Sequence, residues 1–195
     1  MKVAIVGLSP STRHLVPSDF EIWGLPWDLE FASRCTRLFE MHDRGLLEQP
    51  ESLRPSDYWD RLRESVVPIY MQRHWEDIPM SVEFPLSELD KTVFKGFPRW
   101  DQSDWYNSSP AYMIALAIYA GAETIGLYGI DVLDGSEFQI ERNCLEFLIG
   151  LAMGRGIELL IPQGPAALCQ FRGEGIKLGT MEPTYHKRYG YINEP

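Results

Sequence analysis

The chain has 195 residues, of which 45% are hydrophobic and 24% are charged, and its formal net charge at pH 7 is −10. This length and composition predict one soluble domain with a sizeable core, and the acidic balance argues against nucleic-acid binding, which needs a basic surface. No apolar run has the length of a membrane span or the pattern of a signal peptide, so we expect a cytoplasmic protein without a membrane partner.

The first half of the chain alternates between short apolar runs and polar or proline-containing turns. Residues 2–7 form a continuous β-branched run, which is typical of a parallel strand buried on both faces. Gly7 ends this run, and Ser9-Pro10-Ser11-Thr12 predicts the start of a helix. Further strands are predicted at 20–24, 37–41 and 68–72, and a helix at 56–64.

Residues 73–106 show no lasting periodicity and carry Trp75, Trp100 and Trp105 together with several prolines. We predict an irregular, aromatic-rich segment that folds against the sheet, with one helix at 86–94. No strand is predicted in this segment.

The second half has clearer signals. Ser109 as N-cap and Pro110 at the first helical position open an almost wholly apolar helix, which runs through Ala120 and ends at Gly121. Strand-helix alternation continues beyond it and predicts a three-layer Rossmann-like α/β fold, with a mostly parallel sheet and helices on both faces, in a single domain spanning 1–195. The later elements are predicted as a strand at 124–128, a helix at 137–153, a strand at 157–161, a helix at 162–171 and a tail at 172–195.

A first polar loop holds Gly7, Ser9 and Ser11. Open α/β sheets bind ligands beyond the carboxyl ends of their strands. Glycine allows close backbone approach there, and a helix start offers N–H groups to a phosphate or ribose. A plain strand-to-helix turn explains this loop nearly as well, because it has neither a Gly-x-Gly-x-x-Gly nor a Gly-Lys-Ser/Thr pattern.

Two more polar loops flank the apolar helix. Asn107-Ser108-Ser109 precedes it, where the positive end of the helix favours an anion. The alternative is ordinary capping, which needs only one of the three side chains. Gly129-Ile130-Asp131 lies at a strand's carboxyl end, where the aspartate suits ribose hydroxyls or a metal. The alternative there is a turn or helix-capping aspartate.

Two histidines are candidate catalytic bases. Glu40 and His42 lie at the end of the strand at 37–41, on the expected ligand edge, where either suits a general base or a sugar contact. A turn histidine that only forms a hydrogen bond is the alternative. His186 lies in the basic, aromatic stretch 185–189, which either clasps a phosphate or is a solvated end.

The segment 107–131 reads Ser-Ser-Pro, Tyr-Met, an apolar alanine-rich helix and a terminal Tyr-Gly-Ile-Asp. It resembles the single-domain bacterial sialyltransferases, in which a Thr-Ser-Gly, a Tyr-Met, an alanine-rich helix and a Ser-Gly-Ile-Asp occur at the same spacing. The opening Val-Ala-Ile-Val-Gly-Leu-Ser-Pro-Ser is similar to their first strand and Gly-x-Gly-Pro-Ser loop. The resemblance covers the first dozen residues and roughly 107–171. The alternative is a resemblance to the pterin pyrophosphokinase-like group, which shares this Rossmann variant.

The resemblance implies a nucleotide donor held by the three loops. That family inserts a lid between the Gly-Ile-Asp strand and the closing helix, and the lid carries its catalytic histidine. Here only residues 132–136 separate the two elements, so either His42 or His186 replaces that base or the protein binds a nucleotide without transferring a sugar. Carried over by position, the nucleotide-contacting residues are Gly7, Ser9, Ser11, Ser108, Ser109, Gly129, Ile130 and Asp131.

We therefore predict a small-molecule ligand, a nucleotide or nucleotide-sugar, bound by a glycosyltransferase-like or nucleotidyl-handling enzyme. The alternative is a non-catalytic protein that sequesters or senses such a ligand, an architecture suited to a small phage-encoded protein. A third reading is an interaction module whose loops only cap helices. No metal and no cofactor beyond that ligand are predicted, since Cys35, Cys144 and Cys169 lack metal-ligand spacing.

Overall fold

The computed structural model describes residues 1–27, 29–49, 54–97, 105–132 and 138–162. Within these ranges a 3₁₀ helix lies at Arg13–Leu15. The strands are β1 (Lys2–Val6), β2 (Glu21–Gly24), β3 (Arg37–Glu40), β4 (Ile69–Met71), β5 (Ser81–Glu83), β6 (Thr124–Tyr128) and β7 (Glu158–Leu160). The α-helices are α1 (Leu29–Ala32), α2 (Arg44–Leu47), α3 (Tyr58–Arg63), α4 (Leu86–Thr92), α5 (Ser109–Tyr119) and α6 (Phe138–Gly154).

The seven strands of the described residues form one parallel sheet in the order β5-β4-β3-β2-β1-β6-β7. The chain runs outward from β1 to β5 and then returns to place β6 on the other side of β1. The strand order therefore switches between β1 and β6, which pair from Lys2 opposite Thr124 to Val6 opposite Tyr128. In open α/β sheets, ligands bind outside the carboxyl ends of the strands at such a switch.

Alternate residues of β1 enter two different hydrophobic clusters, as expected for a strand that is buried on both faces. Val3 and Ile5 join the cluster that contains the buried side chains of α5 and α6. Ala4 and Val6 join the cluster that contains the buried side chains of α3. The predicted Rossmann-like α/β fold, with a parallel sheet between two layers of helices, is thus confirmed.

Helix α5 is the element that carries the polar loop 107–109 to the switch point. It is apolar on nearly all sides and packs against both β1 and α6. Such a helix has to be enclosed by other elements, and its central place fixes the position of its first turn relative to the ends of β1 and β6.

The structure departs from the predicted elements mainly where they are short. α1, α2 and β5 were not predicted, and the helix expected to start at residues 9–12 is only the 3₁₀ helix. Ser108, rather than Ser109, precedes the first residue of α5. The helix predicted at 162–171 and the tail at 172–195 fall on residues outside the described ranges. None of the helices in those ranges combines the length and the apolarity that crossing a membrane requires.

Candidate functional site

A cavity of about 610 Å³ opens beside the switch point, at the carboxyl ends of β1, β3 and β6. Its volume falls within the range of about 300–1,000 Å³ that is typical of small-molecule sites. Its lining residues are Gly7, Leu8, Ser9, Leu25, Pro26, Trp27, Phe39, Glu40, His42, Arg54, Asn107, Ser108, Ser109, Pro110, Gly129, Ile130, Asp131, Val132 and Glu141.

The structure brings the three predicted loops and the end of β3 together around this one cavity. Ser11 contacts Asp131 but is not part of the lining, and His186 lies outside the described residues. The role of all the predicted site residues in ligand binding or catalysis stays a prediction. The predicted site residues that line the cavity are Gly7, Ser9, His42, Asn107, Ser108, Ser109, Gly129, Ile130 and Asp131.

One wall is built by the loops after β1 and β6, which hydrogen-bond to each other. The Gly7 N–H donates to the Tyr128 carbonyl (2.8 Å), and the Ser9 N–H donates to the Gly129 carbonyl (3.0 Å). A Cβ at Gly7 would lie 2.4 Å from the Gly129 oxygen, and Gly129 has φ of +62°. Only glycine satisfies both positions, so the two loops approach closely. We call this region the glycine wall; it comprises Gly7, Ser9, Ser11, Thr12, Gly129 and Asp131.

Asp131 ties the glycine wall together through its side chain. The Ser9 hydroxyl donates to one of its carboxylate oxygens (2.5 Å), and the Ser11 hydroxyl donates to the other (3.0 Å). The Thr12 hydroxyl in turn accepts a hydrogen bond from the Gly129 N–H (2.7 Å). Hydrogen bonds to a carboxylate are stronger than those between neutral groups, so Asp131 shapes the loops. Each of its oxygens keeps acceptor capacity for a ligand.

The N-terminus of α5 also faces the cavity. Ser108 precedes the helix in an extended conformation, and its Oγ is buried without a hydrogen-bond partner among the described residues. Ser109 and Pro110 line the cavity, whereas Asn107 is largely exposed. The helix has eleven residues, and its aligned peptide dipoles place partial positive charge at this end. A phosphate or another anionic group suits this position.

A second wall carries charged side chains at the end of β3. Glu40 is only 3% exposed; its Oε1 accepts a hydrogen bond from the His42 N–H (3.1 Å) and lies 2.5 Å from His42 Nδ1. Its Oε2 accepts a hydrogen bond from the Tyr58 hydroxyl of α3 and lies 3.6 Å from Arg54 Nη2. The His42 side chain is 57% exposed. We call this region the charged wall; it comprises Glu40, His42, Arg54 and Tyr58.

These contacts set the ionisation of the buried groups in the charged wall. Burial pushes the pKa of Glu40 upward, but the hydrogen bonds from His42 and Tyr58 outweigh burial and leave that pKa below the usual value for glutamate. Burial, followed by the charge of Glu40 and the hydrogen bond to it, raises the pKa of Tyr58 far above its usual value. Glu40 is therefore an ionised acceptor, and Tyr58 is a protonated donor.

Arg54 and Trp27 line the cavity but were not predicted as site residues. The Arg54 guanidinium lies 4.4 Å from the centre of the Trp27 ring, within cation–π range. The Trp27 Nε1 is buried without a hydrogen-bond partner among the described residues. Trp27 follows the carboxyl end of β2, and that position was a usable signal. Arg54 carried no such signal, because its place in the wall depends on the fold that brings it to Glu40.

The charge of the lining is mixed. Among the described lining residues, Glu40, Asp131 and Glu141 supply carboxylates and Arg54 supplies a guanidinium. The favourable environment for an anion thus comes from Arg54 and the N-terminus of α5, whereas His42 offers a proton acceptor. Across the described ranges, no three His, Cys, Asp or Glu side chains are grouped so as to hold a metal ion.

Comparison with known proteins yields matches of fold only. No family model matches the chain, and no curated protein sequence does. Solved structures of the sialyltransferase CstII do match. A variant of the α-2,3/8-sialyltransferase CstII has a TM-score of 0.51 at 17% identity over 88% of this chain and 90% of that chain. The structure of CstII in complex with a trisaccharide acceptor and CMP has a TM-score of 0.50 at 16% identity over 88% of this chain and 89% of that chain.

A third match is CstII from Campylobacter jejuni in complex with CMP-3FNeuAc, with a TM-score of 0.50 at 19% identity over 81% of this chain and 78% of that chain. At such identities the likeness establishes the fold and nothing finer. The resemblance to the single-domain bacterial sialyltransferases that was seen in the sequence is confirmed at that level.

Proposed function

We propose that this protein binds a nucleotide-sugar in the cavity and transfers the sugar to a hydroxyl-bearing acceptor, with His42 as the general base. The observation that carries the proposal is the meeting of a histidine–carboxylate pair and a helix N-terminus in one cavity at the switch point of the sheet. The positive end of α5 suits the phosphate of a donor, and His42 suits the removal of a proton from an acceptor.

The remaining parts of the lining suit the rest of a nucleotide-sugar. Leu25, Pro26 and Trp27 form an apolar and aromatic side against which a flat base can pack. Asp131 and the unpartnered Ser108 hydroxyl offer hydrogen bonds to a ribose or a phosphate. The likeness in fold to structures that hold CMP and CMP-3FNeuAc supports a cytidine nucleotide as the first ligand to test.

The second candidate is a protein that binds the same ligand without turning it over. The short connection between β6, which ends at Tyr128, and α6, which begins at Phe138, favours it. The family that the sequence resembles carries its catalytic histidine on a lid at this place. Both candidates share the binding step, so binding is measured first and turnover second.

Binding is tested by calorimetry with CMP, UMP, AMP, GMP and their sugar conjugates. We expect one of these ligands to bind, and we expect Ser108→Ala to weaken its binding by about tenfold, since a hydrogen bond to a charged group is lost. Ser18→Ala, at an exposed serine away from the cavity, is the matched control. Absence of binding by every ligand in the panel would remove both candidates.

Turnover is tested with the bound donor and a panel of acceptor sugars, with product detected by mass spectrometry. Loss of the general base in His42→Ala should lower kcat by about 10²- to 10⁴-fold, whereas the exposed His14→Ala should leave it unchanged. A loss confined to His186→Ala would assign the base to the other candidate histidine. A wild-type protein that binds the donor and returns it intact would favour the non-catalytic alternative.

A further inference from the structure

Glu40 is a buried carboxylate at the edge of the sheet that faces the cavity, and each of its two oxygens accepts a hydrogen bond. His42, two residues further along the chain, occupies one oxygen, and Tyr58 from α3 occupies the other. Burying an ionised carboxylate is costly unless it is hydrogen-bonded. Replacing a buried ion pair by apolar side chains of similar size is often neutral or stabilising, so stability alone does not account for this carboxylate beside a cavity-lining imidazole.

The contacts of Glu40 determine which nitrogen of His42 carries the proton. An ionised carboxylate can only accept hydrogen bonds, so the 2.5 Å contact between Glu40 Oε1 and His42 Nδ1 requires a proton on Nδ1. Arg54 Nη2 lies 3.1 Å from the same nitrogen, but the guanidinium is a donor and needs an unprotonated Nδ1. The carboxylate contact is the shorter of the two and would be repulsive without the proton, so it decides the tautomer.

Tyr58 and Arg54 hold the carboxylate rather than the ring. The Tyr58 hydroxyl is fully buried and donates to Glu40 Oε2, which stops the carboxylate from rotating about its bond. Arg54 Nη2, 3.6 Å from the same oxygen, supplies the opposite charge. Tyr58 reaches Glu40 from α3, and Arg54 reaches it from the segment before α3. His42 reaches it from the turn that follows β3.

We infer that Glu40 and Tyr58 are positioning residues that fix the His42 ring with its proton on Nδ1 and leave Nε2, on the far side of the ring, as the free base. Their catalytic consequence rests on the proposed function. In the transfer step, Nε2 takes the hydroxyl proton of the acceptor, and the oxygen's electron pair forms the new bond to the sugar carbon. The bond from that carbon to the phosphate oxygen breaks, and its electron pair leaves with the nucleotide.

This proton transfer makes His42 an imidazolium, and Glu40 is the group that stabilises it. The ring then presents Nδ1–H to the carboxylate and Nε2–H to the cavity. Arg54 opposes the positive ring, but its contact with Nδ1 is longer than that of the carboxylate. A neutral amide in place of Glu40 would lose the attraction and would also allow the opposite tautomer, because an amide can donate to Nδ1.

The protonation of the ring is tested without any substrate. The chain has four histidines, and His42→Ala identifies the ring signals of His42 in a long-range ¹⁵N–¹H NMR spectrum of the protein. We expect the wild-type neutral ring to carry its proton on Nδ1 and Glu40→Gln to shift the ring toward the Nε2-protonated form. Glu83→Gln, at an exposed glutamate on β5, should leave the spectrum unchanged.

Kinetics test the catalytic consequence. Glu40→Gln should lower kcat by about 10²- to 10⁴-fold with KM unchanged, because the ring is then in the wrong tautomer. Tyr58→Phe keeps the buried ring and should lower kcat by about tenfold. Tyr119→Phe, at a 44% exposed tyrosine of α5, is the matched control. Circular dichroism checks that each variant is folded. If Glu40→Gln does not fold, Tyr58→Phe still tests the positioning role.

The outcomes separate this inference from the proposed function. A proton on Nε2 in the wild-type ring, or a tautomer that Glu40→Gln does not alter, would overturn the inference. Equal falls of KM and kcat in Tyr58→Phe would also count against a positioning role. If the ring behaves as expected and no donor is turned over by the wild-type protein, the proposed transfer falls while the assignment of the ring's proton stands.

Discussion

The glycine wall and the charged wall both contain buried or half-buried polar side chains, but they use them differently. In the glycine wall, Ser9, Ser11 and Asp131 bond to one another across two loops, and two glycines let the backbones touch. In the charged wall, Glu40 and Tyr58 are fully engaged, whereas the His42 ring remains 57% exposed. The first wall is thus held together by its own hydrogen bonds, whereas the second presents an exposed imidazole ring to the cavity.

The largest expected effect comes from separating the loops of the glycine wall. Gly129→Ala places a Cβ 2.5 Å from the Ser9 carbonyl oxygen at a φ of +62°, and we expect it to lower the free energy of unfolding by about 3 kcal/mol. Urea denaturation measures this. Gly150→Ala, in α6 with no atom within 4 Å, should instead raise stability by about 0.5–1 kcal/mol. Equal stability of Gly129→Ala and wild type would mean that this wall is not tightly braced.

In the charged wall, Glu40→Gln replaces a charged acceptor by a neutral one and should cost about 2 kcal/mol at pH 7. Because the folded pKa of Glu40 lies below the unfolded value of 4.5, its contribution is complete above that pH and is lost as pH falls below it. The stability difference between wild type and variant should therefore shrink below about pH 4.5. Denaturation curves at several pH values measure it, and a difference that grows on acidification would contradict the hydrogen-bonding scheme.

Ser11→Ala tests whether the glycine wall can lose stability without a change in ligand affinity. It removes one hydrogen bond to Asp131 and should lower the free energy of unfolding by about 1–2 kcal/mol. Since Ser11 does not line the cavity and the Ser9 hydroxyl still donates to the other oxygen of Asp131, ligand affinity should stay within about twofold of wild type. Paired denaturation and calorimetry measure both quantities. A large loss of affinity with unchanged stability would make Ser11 a ligand contact.

The smallest effect is expected outside both walls, at the ion pair of Arg44 and Asp77, whose side chains are 15% and 42% exposed. The two side chains form two hydrogen bonds of 2.7 and 2.9 Å, and the bond from Arg44 lowers the pKa of Asp77 to about 2. Asp77→Asn should lower the thermal midpoint slightly at pH 7 and less so as pH falls from 3.8 toward 2. High salt should reduce the difference further. A salt-independent difference would instead indicate a change in the packing of Arg44 on the rings of Trp59 and Trp75.

Long apolar runs made the centre of the fold predictable. β1, β6 and α5 were located within a residue or so because buried parallel strands and an enclosed helix need unbroken apolar sequence. β5 was missed because Ser81–Glu83 has no strand pattern of its own, and its extended form depends on pairing with β4. The four-residue helices α1 and α2 are too short to show a periodicity.

The site was predictable only where its residues follow a strand or precede a helix. Gly7, Ser108 and Asp131 occupy such positions, and the structure gathers them around the cavity. In place of the helix predicted after Gly7 there is only one 3₁₀ turn, because the hydroxyls of Ser11 and Thr12 bond to the loop after β6 instead. The bond between Tyr58 and Glu40 joins residues 18 apart through the fold of α3, and no local pattern reports it.

Ser9 and Asp131 are separated by 122 positions in the chain. During synthesis, the first half of the protein leaves the ribosome before β6, the strand that pairs with β1 and leads into the second loop of the glycine wall. A nascent or truncated chain that ends before residue 131 therefore lacks the acceptor for the Ser9 hydroxyl, and this side of the cavity is complete only after the second half has been made.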